Sequence, residues 1–391
     1  MKKILFIDDN PSLLRSLKRG LHSIRAEWEM YFAASGDDAL ELLKETPVDI
    51  AVSDFQMPGM DGHELLAQIE FDYPQTIRIM LTGKPDKITY AQTVNICHYF
   101  FWKPLKIEGF KRLLQRIGNL DSIFDNQSLR SRLNALTLLP IHPESYSRLA
   151  TRLDDPDCQT RQLTYIAGKD IGLTMQLFKL ASSASYSLDA GINNLADAID
   201  YLGIDTLRDL VATQYTLIAA DQEICHEFKL DQLQLHSFRV ARLAEAFIRK
   251  TEDQSLLSET LLSCQLFDVG RLVLAYCMPE QYRQVIHYSE EQQISFAVAE
   301  RQLLGSDHAA VGAYLATLWG VPESVVDVIF QHNQKDLPSN PNASLVSKVV
   351  WHANRIAQGD CSLSSEQYRI LSQDKKLNAF LESVHNETGV L

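Results

Sequence analysis

The sequence predicts a multidomain chain: an α/β unit with a doubly wound, five-stranded parallel sheet, followed by an all-α unit. Three observations carry this. Over residues 1–120 short apolar runs alternate with segments of helical period, the pattern of a parallel sheet with helices on both faces. From about residue 133 the helical period continues without strands. The charge divides near the same place. Residues 1–120 hold 15 Lys+Arg and 16 Asp+Glu, a net of −1, so the remainder carries −12 of the chain's −13. With 391 residues, 46% hydrophobic and 22% charged, there is apolar material for two cores.

Taken in order, the strands are "KKILFIDD" (2–9), the weaker "WEMYFAAS" (28–35), "PVDIAVSD" (47–54), "TIRIMLTG" (76–83) and "CHYFFWKP" (97–104). Helical stretches lie between and after them: "PSLLRSLKRGLHSI", "GDDALELLKE", "DGHELLAQIE", "DKITYAQTV" and "IEGFKRLLQRIGNL". Asn10 and Pro11 suit the cap and first turn of the first helix. In such a sheet the site lies outside the carboxyl ends of the strands. There stand Asp8 and Asp9, Asp54, Thr82 and Lys103-Pro104. Three carboxylates at one edge repel and require a cation, and hard oxygen donors suit Mg²⁺ with a phosphate. Lys103 offers a positive charge and Thr82 a hydroxyl to phosphoryl oxygens, which leaves Asp54 as nucleophile. A paired Asp after a strand is often only a helix cap, and Lys-Pro usually marks a turn. The set in this order and spacing is much harder to obtain by accident.

Residues 1–120 resemble the flavodoxin-like receiver domain of two-component response regulators. The resemblance implies that Asp8 and Asp9 are the acidic pair and Asp54 the phosphoacceptor. It implies that Mg²⁺ is held by Asp9, Asp54 and the main-chain carbonyl of Gln56, beside Asp8. Thr82 matches the switch hydroxyl, Phe100 the switch aromatic and Lys103 the family lysine, with a cis Lys103–Pro104 bond. A sensor histidine kinase is the implied phosphoryl donor.

Residues 121–135 read as a polar helical linker, distinct from a Gly/Ser-rich tether. Residues 136–357 contain helical segments such as "ESYSRLATRL", "LADAIDYLGIDTLRDLVATQYTLI", "TLLSCQLFDVGRLVLAY" and "HAAVGAYLATLWG", and residues 358–391 read as terminal helices. His236, Asp268, His308 and His332 are candidate metal ligands, but separations of 32, 40 and 24 residues give no local motif. Each alone reads more simply as a hydrogen-bonded or exposed side chain.

The helical part resembles the HDOD domain, a relative of HD phosphohydrolases and of HD-GYP cyclic-di-GMP phosphodiesterases. The resemblance rests on "LTLLPIHPESYSRLATRLDDPD" (136–157), "IAGKDIGLTMQLFKLASSASYS" (166–187), "HSFRVARLAE" (236–245), "GSDHAAVGAYLATLWGVPESVVDVIFQHN" (305–333) and "WHANRIA" (351–357). Against the catalytic relatives the site is depleted. Phe267 replaces the His of the His-Asp pair, Asn333 replaces a second His, Asn354 stands for a late Asp, and Gly-Tyr-Pro is missing after Asn333. This implies a non-catalytic output domain without metal, binding a protein target such as a cyclic-di-GMP phosphodiesterase or cyclase. The competing reading is a metal-dependent phosphohydrolase using His236, Asp268, His308 and His332.

The acidic helical part lacks the clustered Lys and Arg that nucleic acid requires. Six cysteines without a C-x-x-C pair suit reduced thiols of a cytoplasmic protein. No apolar run reaches the ~18 residues that cross a bilayer. A homodimer is compatible with the terminal helices.

Overall fold

A computed structural model of the chain describes residues 1–83, 96–188, 192–213, 220, 222–249 and 253–358. The expected helix "DKITYAQTV" and most of the 358–391 segment lie outside the described residues.

The sheet forms from β1 (Lys2–Ile7), β2 (Trp28–Ala33), β3 (Ile50–Asp54), β4 (Ile77–Thr82) and β5 (Tyr99–Trp102). All neighbours are parallel, in the order β2-β1-β3-β4-β5. β3 and β4 are buried at every position, as strands covered on both faces must be. Helices α1 (Pro11–Gly20), α2 (Gly36–Glu45), α3 (Gly62–Asp72) and α4 (Ile107–Gly118) cover it. Asn10 caps α1 by accepting from the Ser12 N–H, with Pro11 in the first turn. Asp61 and Glu64 form a reciprocal capping box that fixes the start of α3. Phe101 of β5 meets Phe110 of α4 edge-to-face at 5.3 Å, a geometry worth about 0.5–1.5 kcal/mol beyond its area.

The connection is a 3₁₀ turn (Asn119–Ser122) and then α5 (Gln127–Ala135), so only its second half is an α-helix. The helical domain follows: α6 (Pro143–Leu153), α7 (Thr160–Ala167), α8 (Ile171–Leu188), α9 (Leu195–Leu202), α10 (Ile204–Thr213), α11 (Gln222–Glu227), α12 (Leu230–Ile248), α13 (Leu257–Leu266), α14 (Val269–Cys277), α15 (Pro279–Gln292), α16 (Phe296–Leu304), α17 (His308–Leu318), α18 (Glu323–Gln331) and α19 (Leu345–Ala357).

Two expected helices are divided. "LADAIDYLGIDTLRDLVATQYTLI", whose residues 214–218 lie outside the described residues, breaks at Gly203, whose φ of +79° suits a residue without Cβ. "TLLSCQLFDVGRLVLAY" breaks at Phe267–Asp268, so Asp268 is the N-cap of α14 and not a residue inside a helix. Just beyond the break, a Cβ on Gly270 would lie 1.8 Å from the His308 carbonyl oxygen. Only glycine lets α14 reach the start of α17 this closely. The segment Gln254–Cys277 is long and apolar enough to span a bilayer by composition, contrary to the sequence expectation. It is mostly buried in the domain core and is interrupted at this break.

The two domains share an apolar core that runs from the sheet through α8 and α17. β5 and α4 are the receiver elements that face the helical domain. The Tyr99 hydroxyl bonds the Leu318 carbonyl at the end of α17. The Arg116 guanidinium donates to the Thr317 carbonyl at 2.8 Å, to Ala316 at 3.3 Å and to Val321. A cation here suits the negative end of the α17 dipole. Asn134 of α5 ties three elements together. Its amide donates to the Gln75 carbonyl at 2.8 Å, its side-chain oxygen accepts from the Tyr314 hydroxyl at 2.9 Å, and its carbonyl meets His98 Nε2 at 2.7 Å. Lys179 of α8 lies in the same seam, 5.3 Å from the Trp319 ring, and burial pulls it down to about 7.

Candidate functional sites

The strand ends place the receiver cluster. Asp8 follows β1, Asp54 closes β3, Thr82 closes β4 and Lys103 follows β5, so parallel register brings them to one edge. Asp8, Asp9 and Asp54 each offer a carboxylate oxygen within 4.8 Å of the others. Lys103 Nζ lies 2.7 Å from Asp8 and 2.8 Å from Asp54. Asp8 and Asp54 are buried and Asp9 is exposed, so the cluster opens to solvent on one side. Burial raises Asp54 above the usual carboxylate range, against the opposing pull of Lys103. Burial alone would lower Lys103, but its bonds to Asp54 and Asp8 prevail and raise it. Three hard carboxylate oxygens beside a single ammonium fit a Mg²⁺ ion.

The loop after Asp54 is shaped by two glycines. Gly59 has φ +81°, and a Cβ on Gly62 would lie 2.0 Å from the Asp54 carbonyl oxygen. Gln56 sits exposed in this loop. Thr82 and Phe100 are buried, and Met80 pairs with Phe100 across the β4–β5 ladder. The Lys103–Pro104 bond is cis.

The four candidates of the helical domain divide three to one. Asp268 at the α13–α14 break, His308 at the start of α17 and His332 at the end of α18 are all buried and gather their ligand atoms within 4.8 Å. His236, inside α12, is turned away: its Nε2 lies 2.7 Å from the Asn354 side-chain oxygen. Phe267 stands between, with its ring 5.9 Å from His236 and 5.1 Å from His332. Phe267 is fully buried in a small core with Val240, Phe247, Cys264, Val328 and Val350. Asn333 places its amide 2.7 Å from His308 Nε2.

Sequence reasoning missed Glu300. It is fully buried in α16, and one carboxylate oxygen meets both the His308 backbone N–H, at 2.8 Å, and His308 Nδ1, at 2.5 Å. Nothing in "FAVAERQLLG" distinguishes this acid from a solvated one.

Comparison with known proteins agrees with both halves. The family model of the response regulator receiver domain matches residues 4–115, and that of the HDOD domain matches residues 139–335. The chain belongs to the HDOD domain family and begins with a response regulator receiver domain. An uncharacterized protein of Treponema pallidum is 24% identical over 54% of this chain and 41% of its own length. The two-component response regulator ORR26 of Oryza sativa is 28% identical over 40% of this chain and 28% of its own. The chain thus spans less than half of these relatives. A fragment of the MmoQ response regulator of Methylococcus capsulatus matches with TM-score 0.50 and 19% identity, over 60% of this chain and 90% of that one, which shows a shared fold. A receiver plus an HDOD output domain is the organisation of a phosphorylation-controlled two-component regulator. Receiver domains generally bind Mg²⁺ and take their phosphoryl group from a histidine kinase.

Proposed function

We propose that Asp54 accepts the phosphoryl group and that its charge changes how the HDOD domain presents a surface to a protein target. The observation that supports this best is the Asp8–Asp9–Asp54 cluster with Lys103 bridging two of its carboxylates. An Asp54 oxygen attacks the phosphorus of a kinase phosphohistidine. A P–O bond forms, the P–N bond breaks, and the imidazole leaves with the electron pair. Asp9, Asp54 and the Gln56 carbonyl would hold a magnesium ion beside Asp8, and its charge would offset that of the phosphoryl oxygens. Lys103 turns from its carboxylate partners toward a phosphoryl oxygen.

The added charge, roughly −1.5 to −2, draws the Thr82 hydroxyl, and Phe100 follows into the space it leaves. Phe100 adjoins Tyr99, which holds α17. Phosphorylation thereby weakens the seam between β5–α4 and α17. A shift of about 2.7 kcal/mol in this contact changes a two-state population ratio ~100-fold. The output domain is read as non-catalytic, because His236 is committed to Asn354 and Phe267 fills the space between it and His332. By kinship with HD-GYP proteins, an enzyme of cyclic-di-GMP turnover is the target class favoured. Labelling with a small-molecule phosphodonor tests the first step: wild type takes one phosphoryl group, and an equally labelled Asp54→Ala protein overturns the assignment.

A further inference from the structure

The resemblance to HDOD domains implied no metal in the helical part. The side chains there are nevertheless arranged as a ligand set. His332 Nδ1 lies 2.7 Å from the Ile329 carbonyl oxygen. A carbonyl only accepts, so Nδ1 carries the proton and Nε2 of the neutral ring is a bare lone pair. That Nε2 is buried with no hydrogen-bond partner, in a residue only 3% exposed. His308 repeats the pattern with Glu300 on its Nδ1. Both rings are thus anchored from behind by an acceptor, the outer-shell arrangement that orients metal-binding imidazoles.

Both Nε2 atoms face Asp268. His308 Nε2 and His332 Nε2 each lie 3.4 Å from the same oxygen of Asp268. Charged imidazole–carboxylate hydrogen bonds close to about 2.7–2.9 Å, so these separations are too long for that explanation. In a tetrahedral site with bonds of about 2.0–2.2 Å, neighbouring donors stand about 3.4 Å apart. Two nitrogens and one carboxylate oxygen are borderline donors suited to zinc-type ions rather than Mg²⁺.

The geometry points to a mononuclear site for a divalent transition ion of the zinc type, held by Asp268, His308 and His332. Glu300 and the Ile329 carbonyl are its positioning groups. His236 is outside the set. The ion joins the α13–α14 break to α17 and α18, with water as its fourth donor. The Asn333 amide on His308 Nε2 withdraws when the ion enters. This inference goes beyond the proposed function, and Asp54 labelling succeeds or fails independently of it.

The test is titration of the full chain with Co²⁺ in excess Mg²⁺, which keeps the receiver carboxylates occupied. One Co²⁺ per chain is expected, with the intense visible bands of a four-coordinate ion, displaced by Zn²⁺. Asp268→Asn and His332→Gln lose these bands, whereas His236→Ala keeps them at full stoichiometry. Thermal melts with Zn²⁺ guard against misfolded variants: the ion raises the wild-type Tm and leaves a folded Asp268→Asn unmoved. Wild type without four-coordinate bands, or Asp268→Asn binding as tightly as wild type, overturns the site. So does loss of binding in a folded His236→Ala.

Discussion

The two clusters of this molecule are built from similar numbers of ligands but by opposite means. In the receiver, Asp8, Asp9 and Asp54 are brought together by parallel strands, face solvent through Asp9, and are balanced by Lys103. In the output domain, Asp268, His308 and His332 are collected by a helix break and two helix ends, and all are buried. An open cluster of hard oxygens with a lysine can exchange a phosphoryl group. A closed cluster of two imidazoles and one carboxylate, beside the buried Phe267 ring, has the borderline donors of a transition ion.

The comparison breaks most readily at Asp54. Asp54→Ala is expected to lose all phosphodonor labelling while its melt remains cooperative, checked by intact mass and circular dichroism. Next in size is Lys103→Ala, which leaves Asp8 and Asp54 without their shared ammonium. It is expected to lower the labelling rate at least tenfold, a barrier change of about 1.4 kcal/mol. A rate within twofold of wild type contradicts a direct role for the lysine.

The seam between the domains is the third target. Arg116→Ala removes bonds to the carbonyls of Ala316, Thr317 and Val321. Bonds from a charged group contribute about 1.5–3 kcal/mol each at most, and this arginine is only half-buried, so a loss of about 2 kcal/mol in docking is expected. Limited proteolysis between residues 119 and 127 should accelerate, with Asp54 still accepting the phosphoryl group. The seam also carries a pH dependence. His98 is fully buried, and burial holds its pKa well below the ordinary value. Its Nδ1 accepts from the Arg78 N–H at 3.0 Å, so it folds neutral with Nε2 donating to Asn134. A base depressed by folding contributes stability above its unfolded pKa, about 6.5, and loses it as pH falls toward the folded value. Stability should therefore drop by at most about 1.4 kcal/mol per pH unit below that point. His98→Gln should flatten the slope in melts at several pH values. Smallest is Tyr99→Phe, which deletes one hydroxyl bond to Leu318 and should cost about 1 kcal/mol.

The sheet edge was legible in the sequence because strand period and strand order together fix which residues meet. Once β1, β3, β4 and β5 are placed, Asp8, Asp54, Thr82 and Lys103 have one edge to share. The helical cluster was not legible by local reasoning. Intervals of 32, 40 and 24 residues say nothing until helix packing is known, and a kinship pattern put His236 in the set on equal terms with His308. What removed it is a side-chain bond to Asn354, which no spacing reveals. Glu300 escaped for a related reason: an acid among Ala and Val in a helix looks solvated unless its partner, 8 residues on, is known. The docking residues Tyr99, Arg116 and Asn134 bond mainly across domains, to partners up to 219 residues away.

Charge at Asp54 is proposed to loosen the grip of β5 and α4 on the end of α17. Hydrogen exchange of the 316–321 peptide, with and without a beryllofluoride phosphoryl mimic in Mg²⁺, measures this directly. Faster exchange is expected there on adding the mimic to wild type, with no change in Asp54→Ala. Exchange that is unmoved in wild type, or that rises equally in Asp54→Ala, contradicts it.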